Sequence, residues 1–205
     1  ALTLLVLTGV VTGILFTVQT LRLTDARLRT QWTTEVRLME RALDWAAVKQ
    51  LRGEAGDAAT ADYARVKQQL EALRRVSPQY RFVYLMALRG EGDVRILADS
   101  EPASSPDFSP SGTAYSEATA QLVGLFSGNQ AITEGPVEDR WGVWVSALAP
   151  HVDPETGQVL AVLGLDVDAR QWRRALWQAT LLPLGATLAF LLAAGLLLRL
   201  QARTR

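Results

Sequence analysis

Few side chains in this sequence are suited to covalent or metal chemistry. The 205 residues contain no cysteine and a single histidine, His151, which excludes thiolate catalysis, disulfide frameworks and cysteine-based zinc sites. His151 lies beside an Asp153-Pro154 turn, and we expect it to be a solvated loop residue rather than a metal ligand. A catalytic serine would need a base, and no G-x-S-x-G motif accompanies this histidine. The sequence therefore predicts neither an enzyme active site nor a bound cofactor in this chain.

The charged residues divide the chain into three parts. No charge precedes Arg22 and none lies between Arg174 and Arg199, although the chain holds 21 basic and 21 acidic residues in total. All the acids and 18 of the bases lie in residues 22–174, which gives this part a net charge of −3. A nucleic-acid-binding protein is therefore not expected, because its usual footprint is a basic surface.

Two uncharged segments, residues 1–21 and 175–198, are apolar and long enough to cross the ~30 Å hydrocarbon core of a membrane. For the first we expect an uncleaved anchor rather than a signal peptide, because no small-x-small cleavage site follows it. Arg199, Arg203 and Arg205 follow the second, and the positive-inside rule then assigns both termini to the cytoplasm.

This topology places residues 22–174 outside the cytoplasm and makes residues 199–205 the start of a cytoplasmic region. The use of 19 Arg against two Lys is typical of a GC-rich bacterial genome, so the membrane is expected to be a bacterial inner membrane. The chain starts inside one span without a Met and stops shortly after the other, and we expect it to be part of a longer protein.

Helical periodicity dominates the first part of the extracytoplasmic region. Apolar residues recur every three or four positions from Leu28 to Ala47, which predicts an amphipathic helix. We expect this helix to continue the first span outward to about Gly53. A second helix is predicted to be capped by Thr60 or Asp57 and to end at Ser77-Pro78.

The remaining segments have the patterns of strands and turns. A short helix is predicted around residues 118–126, and residues 99–112 form a Ser- and Pro-rich loop that is long enough to be functional. Short turns favour antiparallel pairing. The predicted fold class is α+β, with two transmembrane helices flanking a five-stranded antiparallel sheet that a long N-terminal helix precedes. The five strands are residues 80–88, 94–98, 132–137, 141–149 and 158–166.

This order of elements resembles the extracytoplasmic PAS-like sensor domain called Cache or PDC. In that family a long N-terminal helix precedes a five-stranded antiparallel sheet with a ligand pocket on one face. The resemblance covers about residues 20–200, and it extends to the input domains of bacterial sensor histidine kinases and diguanylate cyclases. It is carried by FVYLM at 82–86, ADSEP at 98–102, EGP at 134–136, DRWGVWVS at 139–146 and VLGLDVD at 162–168.

The resemblance implies a pocket between the sheet, the loop at residues 99–112 and the helix after it. Arg81 or Arg140 suits the carboxylate of a ligand, and Asp99 or Asp166 suits its ammonium group. Amino acids, carboxylates and amines are therefore the expected ligands. The candidate ligand-binding residues are Arg81, Tyr84, Asp99, Ser100, Tyr115, Trp144, Ser146 and Asp166.

Each of the stronger candidates also has a plain structural interpretation. Tyr84 and Trp144 are equally suited to ordinary packing on the sheet. Asp166 precedes the exit helix, where a capping or hinge role is an alternative to ligand contact. Asp99 begins a Ser- and Pro-rich segment and suits the start of a turn.

The sequence thus predicts a membrane-anchored sensor module that detects a small molecule outside the cytoplasm. No flexible linker separates Asp166 from Ala175, so binding is expected to be relayed through the second span. The output, a histidine kinase or a diguanylate cyclase, has no motif in this chain and is implied by the resemblance. The alternative is a membrane-anchored protein-interaction module without a pocket.

A homodimer is expected from two features. Small residues four positions apart let membrane helices approach closely, and the Leu28–Ala47 stripe is able to pack either between two protomers or against the domain's own sheet. The small residues are Gly9 and Gly13 in the first span and Gly185, Ala189 and Ala193 in the second.

Overall fold

The computed structural model describes residues 2–90 and 92–203, apart from the side chains of Leu2 and Thr3. The described residues form two compact units, one holding those up to Leu28 and from Trp172 onward, the other Arg29–Gln171. The helices are α1 (Leu2–Ala42), α2 (Trp45–Val48), α3 (Ala61–Arg74), α4 (Ala120–Leu125) and α5 (Ala169–Arg203), with a 3₁₀ helix at Ala55–Ala59. The strands are β1 (Phe82–Arg89), β2 (Asp93–Asp99), β3 (Ile132–Asp139), β4 (Gly142–Val152) and β5 (Val159–Asp168).

The five strands form one sheet in the order β2-β1-β5-β4-β3, and all neighbours are antiparallel. This confirms the predicted α+β class. The last strand along the chain, β5, lies at the centre of the sheet, and its residues 161–167 are all buried. Helix α5 begins at Ala169, directly after the final residue of β5.

Helix α1 ends at Ala42, about ten residues before the predicted end near Gly53. Asp44 starts a separate short helix, because its carboxylate accepts a hydrogen bond from the Ala47 N–H at 3.2 Å. The Asp44 N–H donates to Gln69 Oε1 at 3.0 Å, a tertiary contact that no helical period reveals. The helix boundary is therefore set by a capping side chain and a partner on α3.

Most of the apolar stripe predicted from Leu28 to Ala47 is buried inside its own chain. This outcome matches the alternative in which the stripe packs within the domain, and it removes the stripe as an argument for a dimer. The buried members are Trp32, Val36, Met39, Leu43 and Ala47.

The even-numbered residues of the central strands share one face of the sheet, which α4 covers. In register, Phe82 pairs with Asp166 and Asp166 with Ser146. One end of this face carries polar residues, and the other end is an apolar core. The core consists of Met86, Val94, Ile96, Leu122, Leu125, Leu148 and Val162.

Both edges of the sheet are covered, which protects the unpaired main-chain groups that edge strands expose. The segment after the long loop runs beside β2, where the Ile96 N–H donates to Thr113 O at 2.9 Å and the Tyr115 N–H to Val94 O at 2.8 Å. At the other edge, the Arg29 guanidinium of α1 donates to Thr133 O at 3.1 Å and Gly135 O at 2.9 Å.

The other unit contains two helical segments, from α1 and α5, that belong to helices long and apolar enough to cross a membrane. Gly9 lies against the Phe190 ring and Gly13 against the Thr187 side chain, so a Cβ at either glycine would overlap them. The small-residue motif of α1 is thus used within the chain. By contrast, a Cβ at Gly185 would meet no atom within 4 Å.

Candidate ligand-binding site

A narrow cavity lies on the polar end of the sheet face, beneath the loop at residues 99–112. Its volume is about 30 Å³, within about 380 Å³ of empty space that includes the mouth. A volume of about 30 Å³ holds one or two water molecules. The lining residues are Phe82, Tyr84, Met86, Ile96, Asp99, Asp107, Ser109, Tyr115, Asp139, Trp141 and Asp166.

Asp166 is the most deeply placed carboxylate of the cavity. Its position on β5 sets it in register between Phe82 and Ser146, and it is 4% exposed. The Tyr84 hydroxyl donates to Asp166 Oδ1 at 2.9 Å. Burial raises the pKa of Asp166 to about 7, although hydrogen bonds from the Ser146 and Tyr84 hydroxyls oppose that rise. Asp166 is therefore able to change its charge near neutral pH.

Tyr84 reaches Asp166 because the strand opposite it carries a glycine. Tyr84 pairs in register with Gly164, and its ring lies where a Cβ of residue 164 would be. Burial also raises the pKa of the Tyr84 phenol well above its usual value. The phenol therefore remains a hydrogen-bond donor to the carboxylate.

Asp139 forms the second carboxylate centre, at the turn between β3 and β4. Its Oδ1 accepts hydrogen bonds from the Trp141 N–H and the Trp144 indole, each at 2.9 Å. Its Oδ2 accepts from the Tyr115 hydroxyl at 3.2 Å. Gly142 keeps the turn compact, with φ of 152°, and a Cβ there would meet the Trp144 ring at 2.6 Å.

Aromatic rings form the walls of the cavity. The rings of Tyr115 and Trp141 are stacked, with centroids 6.1 Å apart and planes 17° from parallel. Phe82 meets Trp144 edge to face at 5.1 Å. Burial, followed by the charge of Asp139, raises the pKa of Tyr115, so this phenol also stays protonated. The walls thus combine ring faces with hydroxyl donors that point at carboxylates.

Asp99 both lines the cavity and fixes the loop above it. Its Oδ2 accepts the Ser109 N–H at 2.6 Å and its Oδ1 accepts the Glu101 N–H at 3.2 Å. Lys67 Nζ lies 3.5 Å from Oδ1 and donates to the Asp99 main-chain oxygen at 3.1 Å. Burial raises the pKa of Asp99 despite these interactions. The turn-forming interpretation of Asp99 and its cavity placement are thus compatible.

We call residues 99–112 the lid, and Arg81 holds its middle. The guanidinium forms ion pairs with Glu101 at 2.8 Å and Asp107 at 2.5 Å, and it lies 4.1 Å from the Phe82 ring centre. Arg81 does not line the cavity. Its cationic group is committed to lid carboxylates rather than presented to a ligand.

Four of the eight predicted residues line the cavity: Tyr84, Asp99, Tyr115 and Asp166. Trp144 and Ser146 lie behind it and contact its carboxylates, Trp144 through Asp139 and Ser146 through Asp166. Ser100 is fully buried and its Oγ accepts the Val83 N–H at 3.0 Å, so its environment is that of a structural residue.

Sequence reasoning missed Asp139 because it lies in the predicted turn between two strands. It missed Trp141 because this residue begins the predicted strand 141–149, where alternation places it on the face opposite Trp144 and Ser146. A weak signal was present, since Gly142 lies between Trp141 and Trp144 in the sequence, which suggests a ring packed over the turn. Arg140, the alternative carboxylate ligand, instead pairs with Glu117 at 2.6 Å on the outer side of the turn and does not line the cavity.

The expectation that His151 is a solvated loop residue is wrong. His151 lies on β4, stacked on the Trp45 ring at 3.7 Å, and its Nδ1 is 2.5 Å from Glu40 Oε1. The partners come from α1 and α2, which are distant in sequence. Within the part of the chain that the structure describes, no cluster of three or more His, Asp or Glu side chains is arranged to hold a metal ion.

Comparisons with known proteins find similarity in structure and none in sequence families. No protein-family model matches the chain, and no curated protein matches it. The sensory domain of the Campylobacter jejuni chemoreceptor Tlp3 (CcmL) superimposes with a TM-score of 0.52 and 13% identity, over 83% of this chain and 66% of that one.

Two ligand complexes of the same receptor agree with this result. The Tlp3 complex with L-valine gives a TM-score of 0.51 at 13% identity, and the isoleucine complex gives 0.50 at 12%. Each alignment covers 83% of this chain, and this chain spans 66% and 65% of their lengths, just under two-thirds. The resemblance inferred from the sequence is therefore confirmed at the level of the fold, which this chain shares with the Tlp3 sensory domain.

Proposed function

We propose that this chain is the input module of a membrane sensor and that it binds a small molecule in the cavity beneath the lid. The observation that carries this proposal is the placement of Asp166. A buried carboxylate surrounded by aromatic rings lies on the central strand, three residues before helix α5 begins. Sites with a few convergent polar groups in an otherwise apolar cavity are typical of small-molecule binding.

The solved neighbours support a small-molecule ligand. Tlp3 sensory domains bind valine and isoleucine. The cavity described above is smaller than such a ligand, so binding requires the lid to move away from the sheet. Asp107 and Ser109 are the lid residues that line the cavity, and Arg81 and Lys67 are the cations that hold the lid closed.

The relay follows from the path of the chain. Ligand contact at Asp166 shifts β5, and the shift passes to α5 because no loop separates the two elements. Displacements of 1–2 Å at a helix are sufficient for signalling when the ligand binds one of two states more tightly. In this proposal residues 22–174 lie outside the cytoplasm, and residues 1–21 and 175–198 cross a bacterial inner membrane.

Two further elements of the proposal lie outside the cavity. The signal reaches a cytoplasmic output domain, a histidine kinase or a diguanylate cyclase, that follows residues 199–205. The sensor acts as a homodimer, for which the uncovered small residues of the second span, including Gly185, provide a packing surface.

The rival role, a docking module without a pocket, fits the site less well. A docking domain gains nothing from burying Asp166 beside a cavity, since an unpaired buried carboxylate costs free energy. A cavity with converging carboxylates is better explained by a ligand that enters it when the lid moves.

A thermal-shift screen of the full chain in lipid nanodiscs tests the proposal, with amino acids, carboxylates and amines as probes. We expect at least one compound to stabilise the protein, and the stabilisation to be lost in Asp166→Asn. Glu138→Gln is the matched control, because Glu138 is an exposed acid on β3 beside the cavity turn. Failure of every compound, or equal responses in both variants, would overturn the cavity as the ligand site.

A further inference from the structure

The charged side chains that line the cavity are all acidic. Glu134 adds a buried carboxylate behind the lining, where it accepts a hydrogen bond from the Thr119 hydroxyl at 2.7 Å. Its in-register neighbour on β4 is Ser146, which also pairs with Asp166. Among the described residues no Lys, Arg or His lines the cavity, whereas four carboxylates do: Asp99, Asp107, Asp139 and Asp166.

The protein neutralises only part of this charge. Asp99 lies 3.5 Å from Lys67 Nζ and Asp107 lies 2.5 Å from Arg81. Asp139 and Asp166 receive hydrogen bonds from uncharged groups, and within the described residues neither forms an ion pair. Since Asp166 is 4% exposed, water is a poor substitute for a counter-ion there. With Asp166 ionised, the site lacks at least one positive charge.

We propose that the cavity takes a compact organic cation, a protonated amine or a quaternary ammonium ion without a carboxylate group of its own; this ligand class presupposes the sensor role proposed above. The cation occupies the space between Asp139 and Asp166 and supplies the missing charge.

The aromatic walls suit the same class of ligand. Cations bind over the faces of Trp, Tyr and Phe rings, most strongly where water is excluded. The hydroxyls of Tyr84 and Tyr115 already donate to Asp166 and Asp139, so a ligand meets the rings of these residues rather than their hydroxyls. Phe82 and Trp141 also line the cavity, and each already has a guanidinium over its ring, Arg81 at 4.1 Å and Arg140 at 5.0 Å.

A zwitterionic amino acid fits this site poorly. Its carboxylate would lie among side chains of the same charge, and both arginines near the cavity are already paired. Arg81 binds Glu101 and Asp107, while Arg140 binds Glu117. Like charges at close range disfavour each other strongly in a site with little water.

Isothermal titration of the full chain in nanodiscs tests this ligand class with matched probes. Isobutylamine is L-valine without its carboxylate, isovalerate is L-valine without its amine, and tetramethylammonium is a charge without donors. We expect one or both cations to bind at least 10-fold more tightly than L-valine, and isovalerate not to bind. Equal or tighter binding of L-valine would overturn the cation proposal and leave the sensor role standing. If neither cation binds, the cation proposal is likewise overturned.

Two variants locate the binding within the cavity. Asp166→Asn is expected to weaken the cation at least 10-fold, and Trp141→Leu to weaken tetramethylammonium several-fold by removing a ring face. Thermal unfolding of each variant confirms that it is folded, and Glu138→Gln serves as the control. Cation binding that is unchanged in both folded variants would contradict the assignment of the site.

Discussion

The hydroxyl of Tyr84 donates a 2.9 Å hydrogen bond to Oδ1 of Asp166 across the β1–β5 pair. This contact joins the first strand of the sheet to the strand that continues into α5. It exists because Gly164, in register with Tyr84, leaves room for the ring to lie across β5. In the proposed sensor, a ligand that contacts either side chain therefore acts on the central strand.

The space above Gly164 gives a first prediction. In Gly164→Ala the new Cβ overlaps the Tyr84 ring, so we expect a loss of about 1–3 kcal/mol of stability from overpacking and weaker ligand binding. Gly124→Ala on α4 meets no atom within 4 Å and is expected to be neutral or stabilising by up to about 1 kcal/mol. Urea unfolding measures both, and equal stability of the two variants would show that Tyr84 is not packed this way.

The buried Asp166 predicts an unusual pH dependence. Its pKa is raised from 3.8 to about 7 by folding, so the folded protein binds a proton that the unfolded chain has lost at pH 4–7. The contribution of this proton to the free energy of unfolding is fully present below about pH 4 and is lost as the pH rises through about 7. Stability of the ligand-free wild type relative to Asp166→Asn is thus expected to fall over this range. A constant difference between their unfolding free energies at pH 4.5 and pH 7.5 would refute the burial effect.

The same proton links pH to ligand affinity. A cation favours the ionised Asp166, so binding is expected to release a proton below about pH 7 and to tighten as the pH rises toward 8. Titrations in two buffers with different ionisation enthalpies measure the protons released. Release that is equal in wild type and Asp166→Asn would point to another titrating group.

The lid predicts an effect on rates more than on stability. Arg81→Gln breaks the ion pairs with Glu101 and Asp107, and because Arg81 is about one-third exposed, we expect less than about 1 kcal/mol of destabilisation. Hydrogen exchange of residues 101–109 and ligand dissociation are both expected to accelerate. Arg95→Gln, which removes an exposed pair with Asp93 on β2, is the control. Unchanged hydrogen exchange in the lid of Arg81→Gln would contradict the role of Arg81 in holding the lid closed.

The two spans give a prediction of their own. Gly9→Ile places a branched side chain against Phe190 and is expected to lower the thermal stability of the chain in detergent, because the helices are forced apart. Gly185→Ile, where a Cβ meets nothing within 4 Å, is expected to have little effect on the monomer. The opposite order of melting temperatures would contradict the packing of α1 on α5.

The strands were predictable from the sequence because their patterns are local. The predicted strand 141–149, for instance, corresponds to β4, which the structure places at Gly142–Val152. The end of α1 was not predictable, because it depends on the contact between Asp44 and Gln69. Helical periodicity does not indicate that contact.

The candidate site also contains residues that were predictable from the sequence and residues that were not. Tyr84 and Asp166 were predictable because a polar or aromatic side chain on the covered face of a buried strand has few roles. The commitment of Arg81 to Asp107 depends on the path of the lid, and the position of His151 depends on Trp45 and Glu40. Such pairings between distant segments are set by the assembled fold.

The central claim is that a ligand in the cavity is read out through the junction of β5 and α5, and a flexible insertion at that junction tests it most directly. Four Gly/Ser residues are placed after Asp168 in a receptor that carries its output domain, and the same insertion between Thr156 and Gly157, in the β4–β5 turn, is the control. We expect the junction variant to bind the ligand with an unchanged Kd while its output no longer responds, and the turn variant to keep both. A junction variant that responds like the wild type would contradict the relay through β5.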